Sequence, residues 1–354
     1  MKIADIQIQQ EHLALTRPYT IAYKTVSDVE NCFVKVILDN GIIGLGASNP
    51  SKQVVGETVS DVVRLLKEKA SRFIGADIRE LAKLWHDLED DFSQSPGSMA
   101  ALDIAFHDAF TQYLDIPLAR FLGQQHISLP TSITIGIKNV AETIEEAEEY
   151  QGRGFRILKV KLGHSLEEDI ERLVKLRERF GKSMGIRVDA NQGYTIEQLL
   201  DFWQRILPLD IELIEQPLKA DVIEPMRDLP EGLRLKIAAD ESLVNVRDAF
   251  RLSQPSPATG IFNIKLMKCG GIHQGLRIAE QARLAGCELM WGCNDESIIS
   301  ISAALHAAFA CKHTRYLDLD GSLDLARDLV QGGFVIENGE MGLAGGNGLG
   351  VRAI

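Results

Sequence analysis

Three acids and a lysine recur at nearly equal spacing, since Asp189, Glu215, Asp240 and Lys265 lie 26, 25 and 25 residues apart. Each ends a short apolar run, so parallel strands would bring them to one edge of a sheet. Three adjacent carboxylates repel one another and lose hydration unless a cation offsets their charge. Oxygen ligands with open positions favour Mg²⁺, whereas Zn²⁺ prefers His or Cys. The spacing predicts a magnesium site; the alternative is three unrelated acids that cap the following helices.

The stretch "FRILKVKLG" places Lys159 and Lys161 on one face of a predicted strand. Lysines on an exposed edge strand are the ordinary interpretation of such a pair. The three acids favour another interpretation, in which Lys161 and Lys265 lie across a barrel mouth with the metal between them. Each could then move a proton at the α-carbon of a carboxylate substrate through an enediolate, on opposite faces, which inverts the stereocentre. Lys159 would lower the pKa of Lys161 or donate to the enediolate.

The elements that must position these residues alternate regularly after about residue 130. Amphipathic helical stretches, such as 165–180, 195–207 and 271–285, separate eight β-rich runs: "TSITIGI", "FRILKVKLG", "MGIRVDAN", "IELIEQP", "LKIAADES", "GIFNIKLM", "CELMWGC" and "TRYLDLD". Alternation of this kind indicates a parallel sheet, and eight units favour a closed barrel. An open doubly wound sheet is the rival, but no GxGxxG follows an early strand.

The ends of the chain follow other patterns. Strands are expected at 2–9, 31–38 and 42–46, with a turn at "DNG", and helices at 56–74, 78–90 and 98–113. This predicts an α/β protein with an α+β capping domain over 1–125 and a (β/α)7β barrel over 126–322. The Gly-rich segment 323–354 is expected to return to the capping domain.

Composition narrows the class of protein. A net charge of −12 argues against nucleic acid and anionic membranes as partners. The N-terminus has no signal-peptide pattern, and no apolar run reaches the length of a membrane span. Five cysteines without a CxxC pair fit a reducing cytoplasm. The expectation is a cytoplasmic enzyme acting on a small molecule.

Taken together, the motifs resemble the muconate-lactonizing subgroup of the enolase superfamily, in which a Lys or His base acts with Mg²⁺. The resemblance runs through "KVK", "VDAN", "EQP", "ADES", "NIKLMKCGG" and "DLD". It implies a modified TIM barrel with a capping domain, Lys161 and Lys265 as the acid/base pair, and Asp189, Glu215 and Asp240 as Mg²⁺ ligands. It also implies a homo-oligomer.

Within this subgroup, Asp318 and Asp320 of "DLD" favour a dipeptide epimerase, because two acids suit the N-terminal ammonium group of a dipeptide. A cycloisomerase acting on dianions would be repelled, while N-acylamino acid racemase and o-succinylbenzoate synthase stay open as alternatives. Thr134 matches a substrate-contacting threonine of similar epimerases. A barrel that binds metal and ligand without turnover is the alternative outside enzymes.

Specificity is expected from two mobile capping loops, around 17–25 and 48–58, and from "GCNDES" after the seventh strand. Tyr19, Lys24, Cys293 and Asp295 are the predicted substrate contacts there. Lys24 stands where Ala-Glu epimerases carry an arginine, and Asp295 where they carry an aliphatic residue. The sequence therefore favours an Ala-Xaa dipeptide, such as D-Ala-D/L-Ala, over L-Ala-D/L-Glu; a third option is a cationic dipeptide attracted by Asp295.

Overall fold

The computed structural model describes residues 1–21 and 24–354, without the side chains of 19–21 and 24–25. Its first part holds three strands and five helices: β1 (Ile3–Ile21), β2 (Lys24–Leu38), β3 (Ile43–Ser48), α1 (Lys52–Val55), α2 (Val59–Lys69), α3 (Leu81–Phe92), α4 (Pro96–Tyr113) and α5 (Leu118–Leu122). A 3-10 helix follows α2 at Ala70–Phe73. The three strands form an antiparallel sheet in the order β1-β2-β3.

The β1–β2 hairpin is longer than the sequence predicted. Strand pairing continues to Ile21 opposite Lys24, with a register shift between Ala14 and Tyr19. The expectation of a loop over 17–25 is therefore wrong for the described backbone. Pro18 lies inside the register shift, where its missing N–H is tolerated, and the β-branched and aromatic residues around it favour a strand.

The capping sheet packs on α4, and two glycines of β3 allow the close approach. A Cβ added at Gly46 would overlap the carbonyl oxygen of Ala101, and one at Gly44 would overlap that of Ala105. Both carbonyls belong to α4, so the backbones of strand and helix are nearly in contact. A single methyl group would have to push the sheet off the helix.

We expect Gly46→Ala to lower the free energy of unfolding by about 1–3 kcal/mol, because an overpacked interface must shift its backbone. Thermal unfolding followed by circular dichroism measures the effect. Gly152→Ala is the matched control, since a Cβ there meets no atom within 4 Å. Its melting temperature should stay unchanged or rise slightly. Equal melting temperatures for both variants would show that the sheet and α4 tolerate separation.

Eight parallel strands form the second part. They are β5 (Ile133–Ile135), β6 (Ile157–Lys161), β7 (Gly185–Asp189), β8 (Ile214–Glu215), β9 (Ile237–Ala239), β10 (Ile261–Ile264), β11 (Glu288–Gly292) and β12 (Thr314–Asp318). They pair in sequence order from β5 to β12. A parallel bridge between Thr131 and Leu317 joins the first strand to the last. The predicted fold class, a modified (β/α)7β barrel with an α+β capping domain, is confirmed.

Helices separate the barrel strands: α6 (Val140–Gly152), α7 (Leu166–Phe180), α8 (Ile196–Ile206), α9 (Glu224–Arg227), α10 (Glu231–Arg234), α11 (Val246–Leu252), α12 (Leu266–Cys269), α13 (Ile272–Ala285) and α14 (Ile298–Ala310), with a 3-10 helix at Leu207–Leu209. Polar caps fix several starts, such as the capping boxes at Asn139 and Thr195. At α13 the cap comes from the capping domain, because the Asp103 carboxylate accepts the backbone N–H of Ile272 at 2.5 Å and of His273 at 3.3 Å. The capping domain thus completes a barrel helix.

The remaining strands are β4 (Ser128–Pro130), β13 (Val330–Gly332), β14 (Phe334–Glu337), β15 (Glu340–Leu343) and β16 (Val351–Ala353). β15 pairs with β4, and β13 pairs with β16. The C-terminal segment also contacts the capping domain, since Ala326 N–H donates to Ala14 O at 2.8 Å and Leu118 N–H to Gly348 O at 2.8 Å. The exact domain limits stay a prediction. Among the described residues, no helix has the length and apolar content needed to cross a membrane.

Candidate functional site

Three buried carboxylates end neighbouring barrel strands, as the spacing predicted. Asp189 and Glu215 are register partners on β7 and β8, and Glu215 lies opposite Ala238 of β9, two residues before Asp240. Burial raises the pKa of Glu215 to about 8, and the charge of Asp189 adds to the shift. These acids are therefore close enough to disfavour one another's ionisation.

Lys159 lies in the middle of this group and is itself buried. Its Nζ is 2.7 Å from Glu215 and from Asp318, and 3.3 Å from Asp189. Burial opposes its charge, but these three carboxylates raise the pKa of Lys159 well above its ordinary value. Lys159 is thus a fixed cation in the centre of the site, not an exposed edge lysine.

Lys161 and Lys265 approach the site from opposite walls. Lys161 ends β6 and Lys265 follows β10, and three strands separate β6 from β10 in each direction around the barrel. The Nζ of Lys161 donates to Asp189 at 2.7 Å, and that of Lys265 to Asp240 at 2.9 Å. The structure therefore brings together the two lysines and three acids named from the sequence, while their catalytic roles stay predictions.

The protonation of Lys265 depends on its carboxylate neighbours. Burial opposes the charge, but Asp240 and then Glu215 raise the pKa of Lys265 above its ordinary value. This environment favours the ammonium form, which can donate a proton. Accepting a proton needs the neutral amine, so another cation would have to compete for Asp240 and Glu215.

The acids have the donor chemistry for a hard divalent cation. Among the described residues, no three acid, histidine or cysteine side chains are arranged as ligands around a common point. The lysine ammonium groups contact these carboxylates instead, and Lys159 Nζ lies 2.7 Å from Glu215 Oε2. Three carboxylates at adjacent strand ends, without His or Cys among them, suit Mg²⁺. Asp189, Glu215 and Asp240 are the residues that would hold it.

Asp318 and Asp320 differ in their surroundings although both line the same cavity of about 360 Å³. Asp318 accepts hydrogen bonds from Lys159 at 2.7 Å and from the Ser132 hydroxyl at 2.6 Å. Asp320 accepts the backbone N–H of Thr134 at 2.7 Å. Burial, and then the charge of Asp318, raise the pKa of Asp320 to about 7. Burial and a like charge therefore disfavour the ionised form of Asp320, and its contact with an ammonium group stays a prediction.

Thr134, Cys293 and Asp295 also line this cavity. The Cys293 thiol donates to Asp318 O at 3.2 Å, and burial followed by the charge of Asp320 raises its pKa well above the ordinary value. The backbone oxygen of Asp295 accepts the Asn31 side-chain amide at 3.4 Å. The side chains of Tyr19 and Lys24 lie outside the described residues.

Segment 48–58, the second predicted specificity loop, contributes Asn49, Pro50, Ser51, Lys52, Gln53, Val54 and Thr58 to the cavity wall. It contains the short helix α1. The Asn294 side-chain amide donates to Asn49 O at 2.8 Å. The capping domain thus closes one side of the cavity, while mobility of the segment stays a prediction.

Sequence reasoning missed several residues that hold the acids in place. Lys268 donates to the backbone oxygen of Asp240 at 2.7 Å and contacts its carboxylate. Asn263 donates to Glu215 Oε1 at 2.8 Å. The Gln216 side-chain oxygen accepts Asp240 N–H at 2.9 Å. Asn263 could have been found, because it lies two residues before Lys265 and shares its strand face; Lys268 follows one helical turn later.

Two family models match the chain. The mandelate racemase/muconate lactonizing enzyme N-terminal domain matches residues 3–123, and the enolase C-terminal domain-like model matches residues 142–353. An L-Lys-D/L-Arg epimerase of Desulforapulum autotrophicum is 53% identical over 100% of both chains. One of Methylococcus capsulatus is 49% identical over 99% of both.

Solved structures agree with these matches. A crystal structure of a dipeptide epimerase from Methylococcus capsulatus, complexed with Mg and the dipeptide L-Arg-D-Lys, superposes with a TM-score of 0.98 at 49% identity and covers 99% of both chains. A dipeptide epimerase from Enterococcus faecalis, complexed with Mg and L-Leu-L-Tyr, has a TM-score of 0.94 at 32% identity over 99% of this chain and 100% of that one.

Proposed function

This chain belongs to the mandelate racemase/muconate lactonizing enzyme family of the enolase superfamily, and from that premise we propose that it is a Mg²⁺-dependent epimerase of dipeptides with cationic side chains. It is an isomerase, as are the relatives that it matches over its full length. The reaction inverts the α-carbon of the C-terminal residue.

The choice of substrate departs from the expectation of an Ala-Xaa dipeptide. The relatives that are 53% and 49% identical are named for Lys and Arg, so the Ala-Xaa preference lacks support. The third option from the sequence, a cationic dipeptide attracted by Asp295, is the one we adopt. Asp295 then reflects a change in the charge of the substrate, whereas Lys24 keeps the positive charge of the arginine that it replaces.

The acidic wall of the cavity is the observation that carries this proposal. Asp28 and Glu30 of the capping domain line it, as does Asp295 after β11, and near β12 so do Glu146, Asp320 and Asp324. These acids outnumber the cations Lys52, Arg17 and Lys138 of the same walls, of which Arg17 is paired with Glu149 and Lys138 with Glu146. The Asn31 side-chain amide donates to Asp295 O at 3.4 Å, and the Asn49 side-chain amide donates to Glu30 O at 2.5 Å. These bonds connect the region of Glu30 to the loop of Asp295. A substrate with anionic side chains would meet like charges on both sides.

Most of the predicted acids and two of the lysines have a role in the proposed reaction. Asp318 and Asp320 accept hydrogen bonds from the N-terminal ammonium, and Asp28, Glu30 and Asp295 attract the side chain of the C-terminal residue. Lys161 and Lys265 remove and return a proton at the α-carbon from opposite faces. A divalent cation bound by Asp189, Glu215 and Asp240 supplies the positive charge that makes this α-proton acidic enough to remove.

A panel of substrates tests the proposal. With Mg²⁺ in D₂O, we expect L-Lys-L-Arg to gain deuterium at the C-terminal α-carbon with a kcat/KM at least about 100-fold above that of L-Ala-L-Glu, because charged hydrogen bonds at two side chains each contribute about tenfold or more. Proton NMR follows the exchange, and chiral chromatography follows the new epimer.

The same panel separates the other candidates. Faster turnover of L-Ala-L-Ala would restore the Ala-Xaa preference, and faster turnover of L-Ala-L-Glu would point to that epimerase. N-succinyl-L-arginine tests the racemase alternative, whose acidic acyl group Asp318 and Asp320 should repel. If no substrate shows exchange, the remaining alternative is a barrel that binds metal and ligand without turnover.

A further inference from the structure

Four polar residues form a cluster beside the junction of the last barrel strand with the first. We define it as the junction cluster: Glu146 and Tyr150 on α6, and Asp320 and Asp324 after β12. All four line the cavity. Since α6 follows β5, and the bridge from Thr131 to Leu317 joins this region to β12, the cluster contains one of the two predicted ammonium-binding acids, Asp320, and lies close to the other, Asp318.

Glu146 of the junction cluster already has partners. Lys138 is 2.9 Å from its carboxylate, and the Tyr150 hydroxyl donates to it at 3.1 Å. Burial, followed by the charges of Glu146 and Asp324, raises the pKa of Tyr150 above its ordinary value. Tyr150 thus stays a neutral hydrogen-bond donor, because both carboxylates disfavour its ionisation.

Asp324 differs, because its half-buried carboxylate forms no hydrogen bond or ion pair with any residue that the structure describes, although its backbone oxygen accepts Thr16 N–H at 2.7 Å. Burial raises its pKa, and Glu146 and Glu149 add to the shift while Arg153 and Arg17 oppose it. Both arginines are engaged with Glu149, Arg17 through two hydrogen bonds at 2.8 and 2.9 Å and Arg153 at 3.7 Å. The carboxylate of Asp324 therefore has room for a cation of its own.

We propose that Asp324, supported by Glu146 and Tyr150, binds the cationic side chain of the substrate's N-terminal residue and makes the enzyme selective for lysine or arginine at that position. The inference rests on the proposed function, because it takes Asp318 and Asp320 to hold the N-terminal ammonium. A side chain that starts from the same α-carbon extends toward Asp324, four residues beyond Asp320. Asp28, Glu30 and Asp295 line the same cavity, and we assign them to the C-terminal residue.

The comparison of two dipeptides in the unmodified enzyme is the first test. L-norleucyl-L-Arg keeps an unbranched apolar side chain at the N-terminal residue but lacks the ammonium of L-Lys-L-Arg. We expect kcat/KM to favour L-Lys-L-Arg by about 10- to 100-fold, which is the contribution of a hydrogen bond to a charged group. The difference should appear mainly in KM, since the group lies far from the reacting carbon.

Asp324→Asn is expected to reduce this preference to within about threefold of unity, while kcat/KM for L-norleucyl-L-Arg stays near that of the unmodified enzyme. Asp324→Glu should keep part of the preference. Asp221→Asn removes the same charge from an exposed residue that does not line the cavity, and it should change neither value. Circular dichroism verifies that each variant is folded.

The outcomes separate the two proposals. If the unmodified enzyme turns over both dipeptides equally well, the assignment of Asp324 is overturned while the epimerase stands. The assignment also fails if Asp324→Asn lowers both values by the same factor. If neither dipeptide is turned over, the proposed function fails, and the inference fails with it.

Discussion

Lys161→Ala and Lys265→Ala are each expected to abolish epimerisation of L-Lys-L-Arg, with kcat lowered by about 10³- to 10⁴-fold, the upper range for general acid–base catalysis. Each variant keeps one lysine, which can still remove the α-proton of one C-terminal epimer and return a deuteron to the same face. Hydrogen exchange without inversion should therefore persist for one epimer. Because the two lysines lie on β6 and after β10 on opposite walls, the two variants should exchange opposite epimers.

Incubation of both epimers with each variant in D₂O measures this, with NMR for exchange and chiral chromatography for inversion. Lys175→Ala is the control, since this exposed lysine pairs with Glu178 at 2.8 Å on the outer helix α7. It should behave like the unmodified enzyme. Exchange of the same epimer by both active-site variants would contradict the opposed arrangement and, with it, inversion by two bases.

Removal of divalent cations should reduce turnover to background, and Mg²⁺ should restore it. The same carboxylates should also couple Mg²⁺ to folding, because a ligand that binds only the folded state adds about 2.7 kcal/mol at a concentration 100 times its dissociation constant. We therefore expect Mg²⁺ to raise the melting temperature by several degrees. This readout does not depend on activity.

The variant Glu215→Gln tests one of the three proposed Mg²⁺ ligands. Burial favours the protonated form of Glu215, whose pKa is raised to about 8, so the neutral isostere should fold. Mg²⁺ affinity measured by calorimetry should fall by more than about 100-fold, because loss of outer partners alone costs about 10- to 100-fold. Asp201→Asn, an exposed change on α8, is the control. An unchanged affinity in Glu215→Gln would remove this acid from the ligand set.

Much of the barrel could be predicted because each βα unit is encoded locally. The apolar run before Asp189 or Glu215 and the amphipathic stretch after it lie within one unit, so spacing alone places the acids on neighbouring strands. The partners of Lys159 could not be predicted in the same way. Glu215 and Asp318 reach it from strands distant in sequence, and only closure of the barrel brings them within 2.7 Å.

The substrate pocket was harder to predict, because it forms between the capping domain and the barrel. The length of the β1–β2 hairpin depends on pairing between its strands, which the short apolar runs did not indicate. Asp324 belongs to no recognisable sequence motif, because only the packing of α6 places Glu146 beside it. The homo-oligomer, the cytoplasmic location and the absence of nucleic-acid partners stay predictions.

The bond from Asp103 to the first turn of α13 limits how this protein can be divided. A barrel expressed without its first 125 residues would begin α13 with two backbone donors deprived of their acceptor, shortly after Lys265. An exchange of capping segments between enzymes of different specificity therefore transfers part of the support for the segment after Lys265 together with the cavity wall that the capping domain forms. We expect such chimeras to succeed only when the incoming segment carries an acid at the position of Asp103.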